Sequence, residues 1–332
     1  MNKVSVNLGT WKRCNIEGLN IAASLCGEKH EFVFNKQKFI LYIPKKPKIK
    51  NERSISDDIS LSSWRNHKTG IYPLSYDVHK VNIFLDNEKV IEVPDKCFNH
   101  ISSNNFTKRE QQRYEKIINI AEESILEAFE YWKLIMRWKT GIFNISPPFE
   151  SNMHHSWSAY LTDLKTRKRF YPATTTITIY DRPPITKRQW NKVERSLING
   201  KSPDIWDKFY IEAHHRKRVN DFHGCIISLA IAVESSIRSL MVRHLRSNPN
   251  NEFEKMVNRV NLTQIINKWV KLGFNTNSWK QSLDTKNINY IIETRNTIMH
   301  RGLYNEIEDS KMSECFSAVR MFLDQTNKEL AK

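Results

Sequence analysis

The period of the apolar positions changes along the chain and divides it. Before residue 185 strand-like alternation dominates, interrupted by one helical run, whereas from Thr186 onward apolar residues recur every three or four positions. His30 to Ile43 predicts two short strands with Phe32, Phe34, Phe39, Leu41 and Ile43 facing inward. Pro44 to Lys50 and the polar run to about Ser63 predict an exposed loop. Val81 to Val93 predicts a hairpin turning at Asp86-Asn87. Ser158 to Tyr180 predicts another strand pair, turning through Lys165-Thr166-Arg167-Lys168-Arg169, with strong strand character in Thr174 to Tyr180. The interrupting helix starts at a capping-box pattern, Thr107 with Glu110. It carries Ile117, Ala121, Ile125, Ala128, Trp132 and Ile135 on one side and stops near Gly141.

Beyond Thr186 every element reads as helix. Thr186 and Gln189 form a second capping box, and Gly200 closes that helix. Pro203 to Val219 follows, with Trp206, Phe209 and Ala213 inward. Asp221 caps a third helix whose stripe, Phe222, Ile226, Leu229, Ala230, Val233, Ile237, Leu240 and Met241, is the clearest in the chain. A shorter helix spans Leu262 to Leu272, ended by Gly273. Ile288 to Arg301 is ended by Gly302, and Ile307 to Leu330 has Met312, Phe316, Val319 and Phe322 on one side. The fold class is α+β. An N-terminal mixed α/β domain (1–185) and a connecting helix (186–202) precede an all-α bundle (203–332).

Composition narrows the function. The 332 residues hold 9 Trp, 16 Phe and 11 Tyr, ample for packed cores. Net charge is +16, which favours a polyanionic partner, nucleic acid before a membrane surface; the plain counterpart is a lysine-rich soluble protein. Residues 203–332 hold 19 Lys+Arg against 15 Asp+Glu, so residues 1–202 hold 33 against 21, a net +12. Most of the positive excess therefore lies in the first part. Cys14, Cys26, Cys97, Cys225 and Cys315 are scattered and odd in number, which suggests neither a disulfide framework nor a thiolate zinc site. No signal peptide or long apolar run is read, so a cytoplasmic setting without membrane attachment is expected. With only 9 Gly and no phosphate-cradling loop, an NTPase is not expected.

The chemistry concentrates near the C-terminus, in Glu293-Thr294-Arg295-Asn296-Thr297-Ile298-Met299-His300-Arg301-Gly302. At about 100° per residue, Asn296 and His300 share one helical face, and Arg295 reaches round to the same place. An imidazole moves protons near neutral pH while a guanidinium forks onto phosphate oxygens, a pairing suited to a phosphodiester. The plain counterparts are a histidine and Arg301 complementing the helix dipole, and Arg295 ion-paired to Glu234 or Glu293.

Residues 203–330 resemble the HEPN family of helical bundles, found in bacterial toxins, phage-defence proteins and RNases. Three features carry the resemblance: a Trp-containing helix with a basic end (Trp206 to Arg218); an Asp-Phe-His-Gly lead-in to an amphipathic helix bearing Glu234 (Asp221 to Leu245); and Arg295-Asn296 followed by His300, with four residues between Arg295 and His300. The resemblance implies metal-free RNA cleavage through 2′-hydroxyl attack, with no cofactor and no metal. His300 would be general acid or base, Arg295 the stabiliser of phosphate charge, and Asn296 a substrate or orienting contact, with Glu234 and Arg301 in support. It implies a homodimer through the bundle, a tRNA or mRNA substrate, and a toxin-like or abortive-infection role in antiviral defence. A phage-derived or small-molecule trigger would act on the N-terminal domain. Some family toxins carry a tyrosine two residues after the histidine; Gly302 stands there, so regulation through that tyrosine is not implied. The alternative is a non-catalytic dimerisation module that binds nucleotide or RNA; a DNA-binding regulator lacks its helix-turn-helix.

Weaker candidates for RNA contact are Arg216, Lys217 and Arg218 after His214-His215, and Lys165, Arg167, Lys168 and Arg169, flanked by Tyr160, Phe170 and Tyr171. For each the plain counterpart is a solvated basic surface. His154-His155 has no third ligand at metal spacing, and Glu122, Glu123 and Glu127 read as a charged outer helix face.

Overall fold

A computed structural model describes residues 3–46, 49–50, 53–54, 58–61, 75–94, 106–145, 160–162, 169–172, 184–247, 284–302 and 307–331. The chain separates into two units, Met1–Lys201 and Ser202–Lys332.

The first unit is built on two long antiparallel strands, β1 (Lys3–Ala22) and β7 (Ser75–Pro94), each 20 residues. The strands β2 (Lys29–Phe34) and β3 (Gln37–Tyr42) extend it, giving the order β1-β7-β3-β2. Asn35 and Lys36, both at positive φ, make the tight turn between β2 and β3. Two expectations change here. Val81 to Val93 is one continuous strand, not a hairpin. Its register against β1 jumps between Leu8↔Lys89 and Gly9↔Asp86, so the turn-like Asn87 and Glu88 are taken up as a bulge. The stretch expected as a loop to Ser63 contains the two-residue pair β4 (Ile49–Lys50) and β5 (Arg53–Ser54). It also contains β6 (Ile59–Leu61), which pairs with β7 and buries Ile59 completely.

One sheet face carries Phe32, Phe39, Leu41, Val81, Ile83 and Leu85 into the core. The long helix α1 (Lys108–Thr140) covers it with Ile125, Ala128, Phe129, Trp132, Ile135 and Met136. Each fully buried side chain of this size contributes about 1.5–3 kcal/mol. The Thr107–Glu110 capping box forms as expected, and Gly141 ends the helix at φ 71. Strands β8 (Tyr160–Thr162) and β9 (Arg169–Pro172) pair antiparallel. Helix α2 (Lys187–Ile198) starts at the Thr186–Gln189 capping box, and its Trp190, Val193 and Leu197 enter the same core. Gln189 Nε2 also donates to the Thr140 carbonyl at the end of α1, 3.2 Å away. The helix read as a connector thus packs as a wall of the first unit.

Gly18 sits in the β1 register shift at φ 69, where a Cβ would lie 2.2 Å from the Asn144 carbonyl oxygen. Backbone cannot swing aside as a side chain can. Gly18→Ala is therefore expected to cost about 2 kcal/mol, by urea unfolding of the full chain.

In the second unit α3 (Ile205–Arg218), α4 (Phe222–Ser247), α5 (Thr285–Arg301) and α6 (Asp309–Ala331) form a bundle. The α4 stripe is buried from Ile226 to Met241, with Phe222 half-buried. Asp221 caps α4 by accepting the Gly224 N–H at 2.9 Å. Ties between helices include Trp206 Nε1 to Asn327 Oδ1 (3.1 Å) and Lys311 Nζ to Asn287 Oδ1 (2.6 Å). Among the described residues α4 alone is long and apolar enough to cross a membrane by length and composition, and 61% of that window is buried in the protein. The expected helix over Leu262 to Leu272, the strand over Thr174 to Tyr180 and His154-His155 lie outside the described residues.

Candidate functional site

Helix α5 carries the Arg–His motif. Asp284 caps it, accepting the Asn287 N–H at 3.1 Å, and Gly302 ends it at φ 61 with its N–H donating to the Ile298 carbonyl. The helix packs into the bundle through Ile288, Ile291, Ile292 and Ile298, all buried. Arg295 stands three residues after Ile292 and three before Ile298, so it occupies the apolar stripe itself. Its side chain is half-buried, and its Nη1 donates to Asn296 Oδ1 at 2.9 Å. Asn296 is half-buried and His300, one turn later on the same face, is exposed. Arg301 is exposed in the last turn, where it and His300 complement the negative end of the helix dipole. Met299, immediately before His300, is 56% exposed.

The arrangement holds a guanidinium and an amide together at the edge of the bundle, one turn from an accessible imidazole. A phosphate meeting the fork of Arg295 would come within reach of a proton-transferring group. Glu234 finds a partner on its own helix. It accepts from Arg238 Nη2 at 2.8 Å and Nε at 3.1 Å, an i,i+4 pair along α4, and no bond joins it to Arg295. The closer partner wins because it shares the helix, so the pair forms without ordering a second element.

The basic end of α3 is engaged within the bundle. Arg216 pairs with Asp221 at 2.7 Å and with Glu212 at 3.0 Å. Lys217 pairs with Asp309 at 3.0 Å and donates to Ser313 Oγ at 2.9 Å. Gly224 leaves room for the first of these, since a Cβ there would lie 2.2 Å from Asp221 Oδ2 and 2.3 Å from Arg216 Nη1. Arg218 is half-buried. His214 lies against Tyr210 and Phe316, ring centroids 4.8 and 4.1 Å apart, and burial pushes its imidazole down to about 3. His215 is buried. Arg216 and Lys217 thus serve helix packing, while Arg169 stands in β9 opposite Thr162. Lys165, Arg167 and Lys168 lie outside the described residues. Of the carboxylates on α1, Glu122 pairs with Lys12, Glu127 accepts weakly from Asn35 at 3.4 Å, and Glu123 is exposed. No family model, curated protein or solved structure matches this chain.

Proposed function

We propose that the chain is an endoribonuclease whose bundle cuts RNA through Arg295, Asn296 and His300. The observation that carries this reading is the place of Arg295. A permanently charged group occupies a packing position on α5, bonded to Asn296 and one turn from an exposed His300. A guanidinium on an apolar stripe is a poor choice for packing and a good one for a phosphate. In the reaction the ribose 2′-oxygen attacks phosphorus and the bond to the 5′-oxygen breaks. The 2′-hydroxyl gives up its proton and the 5′-oxygen gains one, leaving a 2′,3′-cyclic phosphate and a 5′-hydroxyl. His300 carries one of these transfers, and Arg295 holds the charge that builds on the phosphate oxygens. The open apolar surface of Met299 beside the motif supports a second copy docking there and bringing a second motif. A toxin-like role in antiviral defence belongs to this reading through the family resemblance alone.

The rival reading is a non-catalytic module, and the Glu234–Arg238 pair favours it, because that carboxylate is then not spent on orienting His300. The deciding experiment incubates wild type and His300→Ala with total tRNA in EDTA and identifies the new 3′ ends. The expected result is cleavage by wild type alone, with 2′,3′-cyclic phosphate ends. Folded wild-type protein that leaves the RNA whole, and is harmless on expression, would establish the binding module instead.

A further inference from the structure

The sheet of the first unit has a second face, opposite the one that α1 covers. Strand pairing sets its residues in three rows. Trp11 stands opposite Phe84, which stands opposite Ile40 and then Glu31. The next row is Arg13, Asn82, Tyr42 and Lys29, and on the other side lie Gly9, Asp86, Lys38 and Val33. Side chains two apart along a strand share a face, so all twelve look away from Leu41, Ile83 and Leu85 in the core. Trp11 is 60% exposed and Phe84 38%. Their rings stack with centroids 6.3 Å apart, and Tyr42 meets Phe84 edge-on at 5.3 Å.

Large aromatic rings in water need a reason. A protein partner fits poorly, because interface centres are depleted in Lys, Glu and Asp, and here Lys38, Lys29, Glu31 and Asp86 interleave with the rings. Rings interleaved with cations are what bases and phosphates together require. Among the twelve, the cations Arg13, Lys29 and Lys38 outnumber the carboxylates Glu31 and Asp86; Arg13 also pairs with Asp58, and Lys29 and Lys38 share Glu31. The surrounding chain reinforces the sign, with residues 1–202 holding 33 Lys+Arg against 21 Asp+Glu.

We infer that this face is a stacking platform for single-stranded nucleic acid, bases lying on Trp11, Phe84 and Tyr42 with phosphates along the lysine-bearing strands. That the strand is RNA rests on the ribonuclease reading of the bundle; the platform itself does not.

The test measures anisotropy of a labelled 12-nucleotide pyrimidine RNA, its DNA counterpart and an RNA duplex, with the full chain carrying His300→Ala so that nothing is cut. The single-stranded RNA is expected to bind more tightly than the duplex. Trp11→Ala with Phe84→Ala is expected to weaken it tenfold or more, since stacking is lost at two rings, while Trp11→Phe keeps affinity within about threefold because a ring remains. Unchanged affinity in the double variant would overturn the platform, and ring-dependent binding of the DNA strand alone would overturn RNA as its ligand. Loss of self-association in the double variant, by sedimentation, with RNA binding intact, would also overturn the platform. The two readings fail separately: ring-dependent binding by the His300→Ala chain, with a wild type that cuts nothing, leaves the platform standing and removes the ribonuclease. Cleavage by wild type with ring-independent binding does the reverse.

Discussion

Arg295→Leu is expected to lower RNA cleavage at least about 100-fold while leaving the melting temperature unchanged or slightly raised. Donors aimed at charge developing in a transition state are worth roughly 100- to 1,000-fold each. The stability side follows from position. Residue 295 lies between Ile292 and Ile298 on the stripe that α5 buries, so leucine continues the apolar surface and relieves a half-buried charge. A residue kept for packing would behave in the opposite way, losing stability first and activity only as the fold loosens. Arg295→Lys keeps the charge and loses the planar fork, so it should recover only a small part of the rate. His300→Ala belongs beside it. Proton transfer contributes about 100- to 10,000-fold, and an exposed residue in the last turn carries little of the fold. Initial rates on tRNA, set against thermal melts of the same preparations, decide the matter. Wild-type rates from Arg295→Leu would remove the guanidinium from the site.

What could be read from the sequence divides by range. Both capping boxes, the stops at Gly141 and Gly302 and the buried stripe of α4 are local patterns, written within a few residues of where they act. The position of Arg295, Asn296 and His300 on one helix end was legible for the same reason. The long β1–β7 ribbon was not. Trp11 and Phe84 are neighbours in space yet 73 positions apart (84 − 11), and nothing near either residue announces the other. Asp86-Asn87 has the chemistry of a turn; here the register shift beside it takes up extra residues without reversing the chain. Ile59 was concealed by its polar neighbours, although three residues suffice to add an edge to β7. The partner of Glu234 shows the same dependence on range: Arg238 stands four residues later, the spacing that pairs charges along a helix. Arg216 and Lys217 show the converse. A basic run marks available charge, and only the fold reveals that Asp221, Glu212 and Asp309 already meet it.

The first unit is expected to lose stability steeply on mild acidification, through His30. Its imidazole is fully buried, stacks on Trp190 with centroids 3.7 Å apart, and its Nδ1 accepts the indole N–H of Trp132 at 3.0 Å. That bond needs an unprotonated Nδ1, so the ring is built in as a neutral acceptor. Burial pushes His30 down from 6.5 to about 3, opposed by a backbone bond at Trp190 and assisted by Lys187. A histidine released by unfolding regains its ordinary value, so below it the unfolded chain binds a proton that the folded chain refuses. The contribution is thus fully present above about 6.5 and declines as the pH falls towards 3, amounting to about 3 kcal/mol by pH 4. His214 acts in the same direction in the second unit, so the measurement must isolate one residue. His30→Gln does so, since its amide oxygen can accept the Trp132 N–H and does not titrate. Urea unfolding from pH 7 to pH 4 should show a wild-type slope steeper by close to one proton, about 1.4 kcal/mol per pH unit, than that of the variant. Equal slopes would mean that His30 charges inside the fold, and that Trp132 holds its place without it.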